Sequence, residues 1–182
     1  PLIDIENAIS CGLEVFGENR VQEAKSKFEN IKKTNSKIKL HLTGPLQSNK
    51  VKQALSVFDV FHTLDREKLL KELVKFPETI KDKSFFVQIN TGKEITKSGV
   101  FPENTKSFLD ICKAYGLDNI EGLMCIPPIN ENPIKHYQMI TDLTKEFGLG
   151  NPSIGMSGDY KQAINFNPKY IRLGTVLFGK RL

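Results

Sequence analysis

The stretch Tyr170-Ile-Arg-Leu-Gly-Thr-Val-Leu-Phe178 reads as a β-strand over 170–177, apolar and β-branched, with an arginine inside it. The position is notable because Lys and Arg together number 26, and only Arg20, Arg66, Arg172 and Arg181 are arginines. In a strand, Arg172 alternates with Ile171 and Leu173 and faces the opposite side of the sheet. A guanidinium on a buried face needs an acceptor. Two readings are open for it: a structural ion pair with a carboxylate, or a contact with a ligand.

Six earlier runs share the strand character, over 13–16, 38–43, 60–63, 84–89, 120–124 and 152–156. Helical spacing fills the intervals. Val51, Ala54, Leu55 and Phe58 form one apolar stripe, Phe108, Ile111, Cys112 and Tyr115 a second, and His136, Ile140, Leu143 and Phe147 a third. Asn132-Pro133 has the chemistry of a helix start, and Gly116 and Gly148 stand where helices end. Leu2, Ile5 and Ile9 predict that the chain opens in a helix. Repeated β-then-α units predict an α/β fold with a parallel sheet under helices. The pattern leaves two architectures open: a complete seven-stranded sheet, or a β/α barrel lacking its first strand.

With 182 residues, 39% apolar and 26% charged, the chain suits one soluble domain over 1–182. The net charge of +5 is spread along helix faces with acids between, and no RRM-like or zinc-finger spacing is present. Nucleic-acid binding is therefore not expected, nor is a metal site. Cys11, Cys112 and Cys125 are scattered, which suits reduced thiols in a cytoplasmic compartment. No apolar run approaches the roughly 18 residues of a membrane span. The opening PLIDIENAIS has no basic signal-peptide region.

In either architecture ligands gather at the C-terminal ends of the strands. The exits carry Asn19-Arg20, Thr43-Gly44, Asn90-Thr91-Gly92, Ser157-Gly158-Asp159 and Gly174-Thr175, and His41 lies within the second strand. Ser157-Gly158 and Gly174-Thr175 together read as an anion site, two hydroxyls beside unencumbered backbone N–H groups. Asp159 is expected to cap the following helix, with Gln162 completing the pair. Asn19 has two readings, a cap over Gln22 or a ligand neighbour. His41 is either a core histidine or a ligand contact.

Six stretches now combine: FGENRVQEA (16–24), HLTGPLQSNK (41–50), QINTGKEITKSGV (88–100), EGLMCIPP (121–128), GMSGDY (155–160) and IRLGTVLFG (171–179). Together, over essentially the whole chain, they resemble the pyridoxal phosphate homeostasis protein family. The resemblance implies a TIM-type (β/α)8 barrel like the N-terminal domain of alanine racemase, here with seven strands. It implies pyridoxal 5′-phosphate as cofactor, a role in cofactor homeostasis, and no robust catalytic activity. Ser157, Gly174 and Thr175 then look like phosphate ligands, Arg172 like the partner of the pyridine nitrogen, and Asn19 and His41 like neighbours of the ring. The expected partners are the cofactor and enzymes that depend on it, and a monomer is expected.

In that family the Schiff-base lysine ends the first barrel strand, in a stretch like V-S-K-T-x-P. Pro1 matches the proline of that stretch. The strand and the lysine are therefore expected to be absent from this chain, which would then not hold the cofactor covalently as the family does. Two other functions remain on the same residues. One is a racemase-like proton transfer on the same cofactor. The other is a barrel isomerase or aldolase using the Ser157/Thr175 anion site for a sugar phosphate.

Overall fold

The structure is a computed structural model that describes residues 2–179. Among the described residues seven strands form one sheet: β1 Val15–Glu18, β2 Lys39–Leu42, β3 Val60–Leu64, β4 Ser84–Ile89, β5 Ile120–Cys125, β6 Ser153–Met156 and β7 Tyr170–Arg172. Every neighbouring pair is parallel and the spatial order is the chain order, β1 through β7. A doubly wound sheet reverses its order at a switch point, whereas a β/α barrel does not. The topology is that of a barrel. Strands β1 and β7 are its two edges, with no pairing between them among the described residues.

Helices follow the strands as the spacing predicts. They are α1 Leu2–Ser10, α2 Val21–Thr34, α3 Val51–Leu55, α4 Glu67–Leu73, α5 Pro77–Ile80, α6 Thr105–Ala114, α7 Pro133–Glu146, α8 Tyr160–Ala163 and α9 Thr175–Phe178. Asn132 caps α7, its side chain accepting from the Ile134 N–H at 3.0 Å ahead of Pro133. Gly116 and Gly148 take positive φ just beyond α6 and α7.

Two sequence expectations shift here. The first strand runs from Val15 to Glu18 rather than over 13–16. The last strand does not continue to 177: it ends at Arg172, and Thr175–Phe178 is a helical turn with Gly174 at its start. Leu177 and Phe178 both donate their N–H groups to the Gly174 carbonyl. The apolar run misleads because Val176, Leu177 and Phe178 are 52%, 53% and 42% exposed, so no buried sheet face selects for them.

The two faces of the sheet bury different chemistry. Leu40, Leu42, Phe61, Phe85, Val87, Leu123 and Ile154 join the large cluster shared with the helices. On the inner face Val60, Phe86 and Met124 form a separate small cluster with Tyr170 packed on it. Into that inner layer come two histidines. His62 lies flat on Phe86, ring centroids 4.8 Å apart, and His41 stands edge-on to Tyr170 at 4.7 Å. His41 Nδ1 and His62 Nε2 are 3.0 Å apart, and His62 Nδ1 is 2.9 Å from Ser153 Oγ.

At the opposite end from the strand exits, Asp59 ties three elements together. Its Oδ2 accepts from Lys32 Nζ of α2 at 2.6 Å and from the Leu40 N–H of β2 at 2.8 Å. Lys32 also donates to the Val57 carbonyl.

Two stability predictions follow from these contacts. Asp59→Ala strands the Leu40 N–H and takes from Lys32 its counter-ion, and is expected to cost about 2 kcal/mol in urea unfolding. A loss under about 0.5 kcal/mol would contradict this role. The second concerns acid. Burial pushes the His41 pKa down to about 4 and that of His62 well below its usual value. The unfolded chain therefore binds protons between pH 6.5 and 4 that the folded protein refuses. The histidine contribution is complete above pH 6.5 and is lost as pH falls toward 4. From pH 6.5 to 5, before most carboxylates titrate, stability should fall by about 1.5 kcal/mol per histidine. A flat profile over that interval would show that the rings are not held neutral.

Candidate ligand site at the strand exits

Because all seven strands are parallel, their exit loops gather at one end of the barrel. The β6 exit is shaped by Gly155, whose φ is +92° and whose added Cβ would lie 2.6 Å from Ala163 Cβ. A side chain there would meet both backbone strain and the face of α8. The next four residues close on themselves. The Asp159 N–H donates to the Met156 carbonyl at 3.0 Å, and the Met156 N–H donates to Asp159 Oδ1 at 2.6 Å. Asp159 thus reaches back along its own loop and gives α8 no side-chain cap, contrary to the expected pairing with Gln162. Its carboxylate is held by the nearer donor.

That turn holds Ser157 toward β7. Ser157 Oγ accepts from the Gly174 N–H at 3.0 Å and from the Val176 N–H at 3.4 Å. Two backbone N–H groups of the β7–α9 turn therefore converge on one oxygen. The space where a Cβ would sit on Gly158 or Gly174 is open. Thr175 is the exposed first residue of α9 beside this cup. Ser157 and Gly174, predicted together, are together.

Arg172 sits one strand position behind the cup, half-buried. One guanidinium nitrogen, NH1, donates to the Ser153 carbonyl at 2.8 Å and to Ser153 Oγ at 2.6 Å. The other, NH2, donates to the Cys125 carbonyl at 2.8 Å. Among the described residues no carboxylate forms an ion pair with it, though the Asp159 carboxylate lies near enough to favour its charge. An arginine has five N–H donors, of which three are engaged here, leaving two. Burial lowers the pKa of the guanidinium below its usual value, but arginine remains a cation. The thiol of Cys125 is pushed up to about 12 by burial, so it stays protonated and unreactive.

The other candidates stand apart from this pair. Asn19, just after β1, accepts from Thr43 Oγ1 at 2.9 Å through its Oδ1 and does not cap α2, whose first turn has no side-chain cap. Gly44 lets the two exits approach: an added Cβ would lie 2.4 Å from the Asn19 carbonyl oxygen. His41 is 4% exposed and belongs to the inner layer, where its hydrogen bond goes to His62. Asn90 of the β4 exit organises its own loop, donating to the Glu94 and Lys97 carbonyls and accepting from the Glu94 N–H.

Sequence reasoning overlooked His62 and Ser153, which link His41 to Arg172. A signal was available. The chain has three histidines, His41, His62 and His136, and all three are buried. Buried histidines on adjacent inner strands call for a polar partner. Tyr137, on α7, was also overlooked. Its buried hydroxyl lacks a hydrogen-bond partner among the described residues, and burial, with Asp159 nearby, raises its pKa.

With this geometry in hand, similarity to known proteins becomes informative. The family model for the alanine racemase N-terminal domain matches residues 2–181. The pyridoxal phosphate homeostasis protein of Aquifex aeolicus is 37% identical over 188 residues, covering 97% of this chain and 81% of that protein. The protein of the same name from Vibrio cholerae is 32% identical, covering all of this chain and 81% of its own length. The structure of PipY from Synechococcus elongatus without PLP superposes with a TM-score of 0.85 at 29% identity, covering 98% and 88% of the two chains. The structure of the same protein with PLP bound gives 0.82. An alanine racemase of Clostridium difficile, 14% identical with a TM-score of 0.72, shares the fold. The chain belongs to the alanine racemase N-terminal domain family, within the branch of the pyridoxal phosphate homeostasis proteins.

Proposed function

We propose that this protein binds pyridoxal 5′-phosphate at the β6 and β7 exits and serves in cofactor homeostasis rather than in turnover. The observation that carries the reading is the convergence of the Gly174 and Val176 N–H groups on Ser157 Oγ, with the two unspent N–H donors of Arg172 alongside. A phosphate oxygen can take the place that the serine oxygen now occupies, and Thr175 adds a second hydroxyl at the same edge. Relatives named for pyridoxal phosphate homeostasis, and a neighbour solved with PLP, support the same ligand.

Arg172 then sets the chemistry. A guanidinium only donates hydrogen bonds, so a heteroaromatic nitrogen facing it accepts and stays unprotonated. When bound, the cofactor can act as an electron sink, and that capacity is weakest when its ring nitrogen carries no proton. Among the groups around Arg172, the Cys125 thiol is locked protonated and the Ser153 hydroxyl is engaged by the guanidinium. These residues bind and orient; they offer no poised acid–base pair. Three free cysteines suit a reducing, cytoplasmic setting, and enzymes that use the cofactor are the receivers we propose.

Pyridoxine 5′-phosphate lacks the aldehyde, so its binding reads the cup and Arg172 alone. Fluorescence titration should give saturable binding well tighter than inorganic phosphate, weakened about tenfold or more by Arg172→Ala. Binding no tighter than phosphate, or insensitive to that change, would refute the assignment. Exchange of the alanine α-proton for deuterium should proceed no faster with protein plus pyridoxal phosphate than with the free cofactor. Exchange far above that background would favour the racemase-like alternative.

A further inference from the structure

The inner face of the barrel contains a polar path with no gap in it. Arg172 NH1, Ser153 Oγ, His62 Nδ1, His62 Nε2 and His41 Nδ1 follow one another with separations of 2.6, 2.9 and 3.0 Å between side chains. It crosses from β7 through β6 and β3 to β2. Ser153 and His62 are each 0% exposed, so bulk solvent does not reach them.

Donor counting fixes the direction of this path. Arg172 can only donate, so Ser153 Oγ spends a lone pair on it. The serine hydrogen then has one further polar neighbour among the described residues, His62 Nδ1. If it goes there, His62 Nδ1 accepts and the ring hydrogen sits on Nε2. That hydrogen is donated to His41 Nδ1, and His41 in turn carries its hydrogen on Nε2. The opposite order leaves the hydroxyl hydrogen of a fully buried serine unspent, which is costly. The low pKa values of both rings agree with two neutral imidazoles.

We propose that Ser153 and His62 are positioning residues for Arg172, and that this one-way chain of hydrogen bonds aims one of the two remaining guanidinium donors at the ring nitrogen of the ligand. The inference rests on the ligand reading given above. Without the Ser153 hydroxyl, NH1 keeps the Ser153 carbonyl but loses the bond that fixes its second direction. His62 would lose its acceptor role, and the link between Arg172 and the rigid inner layer of Phe86 and Tyr170 would be broken.

The test uses two probes: pyridoxine 5′-phosphate, and its benzene analogue in which C–H replaces the ring nitrogen. The unaltered protein should prefer the pyridine by about tenfold. Ser153→Ala should remove most of that preference, weakening the pyridine probe about fivefold or more while leaving the benzene analogue within about twofold. Ser153→Thr, which keeps the hydroxyl, should restore it. Equal weakening of both probes would mean a general structural role, and no weakening would mean no role; either overturns the proposal. If the unaltered protein binds the two probes alike, the Arg172 reading beneath it has failed and the proposal falls with it. Long-range 1H–15N correlation on histidine-labelled protein adds a check that needs no variant. Both His41 and His62 should appear as neutral Nε2–H tautomers at pH 7. An Nδ1–H tautomer or an imidazolium at either ring would overturn the direction assigned here.

Discussion

Arg172 donates three hydrogen bonds, two to β6 beside it and one to β5 beyond, and those bonds determine what it can offer a ligand. The acceptors are the carbonyls of Ser153 and Cys125 and one hydroxyl, all uncharged. An uncharged cradle leaves the guanidinium its full positive charge, which a carboxylate partner would have largely cancelled. Burial of a cation is costly; the Asp159 carboxylate nearby favours its charge without a direct ion pair, and an anionic ligand would offset more of that cost. The same barrel end holds the Ser157 cup, where two backbone N–H groups already meet an oxygen. The cation and the cup's N–H groups therefore lie together between the ends of β6 and β7, with the Asp159 carboxylate tied back to the Met156 N–H.

The rest of the barrel supports that corner. Gly155 allows the β6 exit to turn back at once, and Asp159 clamps the turn by accepting from the Met156 N–H. On the inner face, an aromatic layer of Phe86, Tyr170 and the two histidine rings gives β7 a rigid floor. At the far end Asp59, Lys32 and the Leu40 N–H hold β2 and the start of β3 against α2. No helix among the described residues is long and apolar enough to cross a membrane.

Much of this was legible in the sequence. Strand β4 was read to the residue, and α7 was read from its Asn132 cap and Pro133, because local chemistry dictates both. The choice between barrel and open sheet was not legible from periodicity, since both bury apolar strands under helices; strand order decides it, and that is a long-range property. The end of β7 was misjudged because an apolar run implies burial only when something covers it, and α9 lies exposed. The Ser157–Gly174 pairing was visible as two small-residue turns at consecutive exits. The path through Ser153 and His62 was not. It depends on which inner-face side chains meet across β2, β3, β6 and β7, and no linear spacing encodes that. Asp159 was expected to cap α8 on adjacency alone, yet its carboxylate reaches back along its own loop to the Met156 N–H; of the two readings of Asn19, the cap gives way to a bond from Thr43 at the β2 exit.

The claim on which the account stands is that the β7–α9 turn and Arg172 together hold a phosphorylated pyridine. The most direct measurement is a 1H–15N correlation titration of the labelled protein with pyridoxine 5′-phosphate, following the backbone and guanidinium signals. The account predicts that the Gly174 and Val176 amides and the Arg172 Nε–H signal shift together and saturate at one ligand concentration, while the amides around Asp59 stay fixed. Shifts confined to other loops, or an Arg172 signal that does not move while Gly174 does, would contradict it.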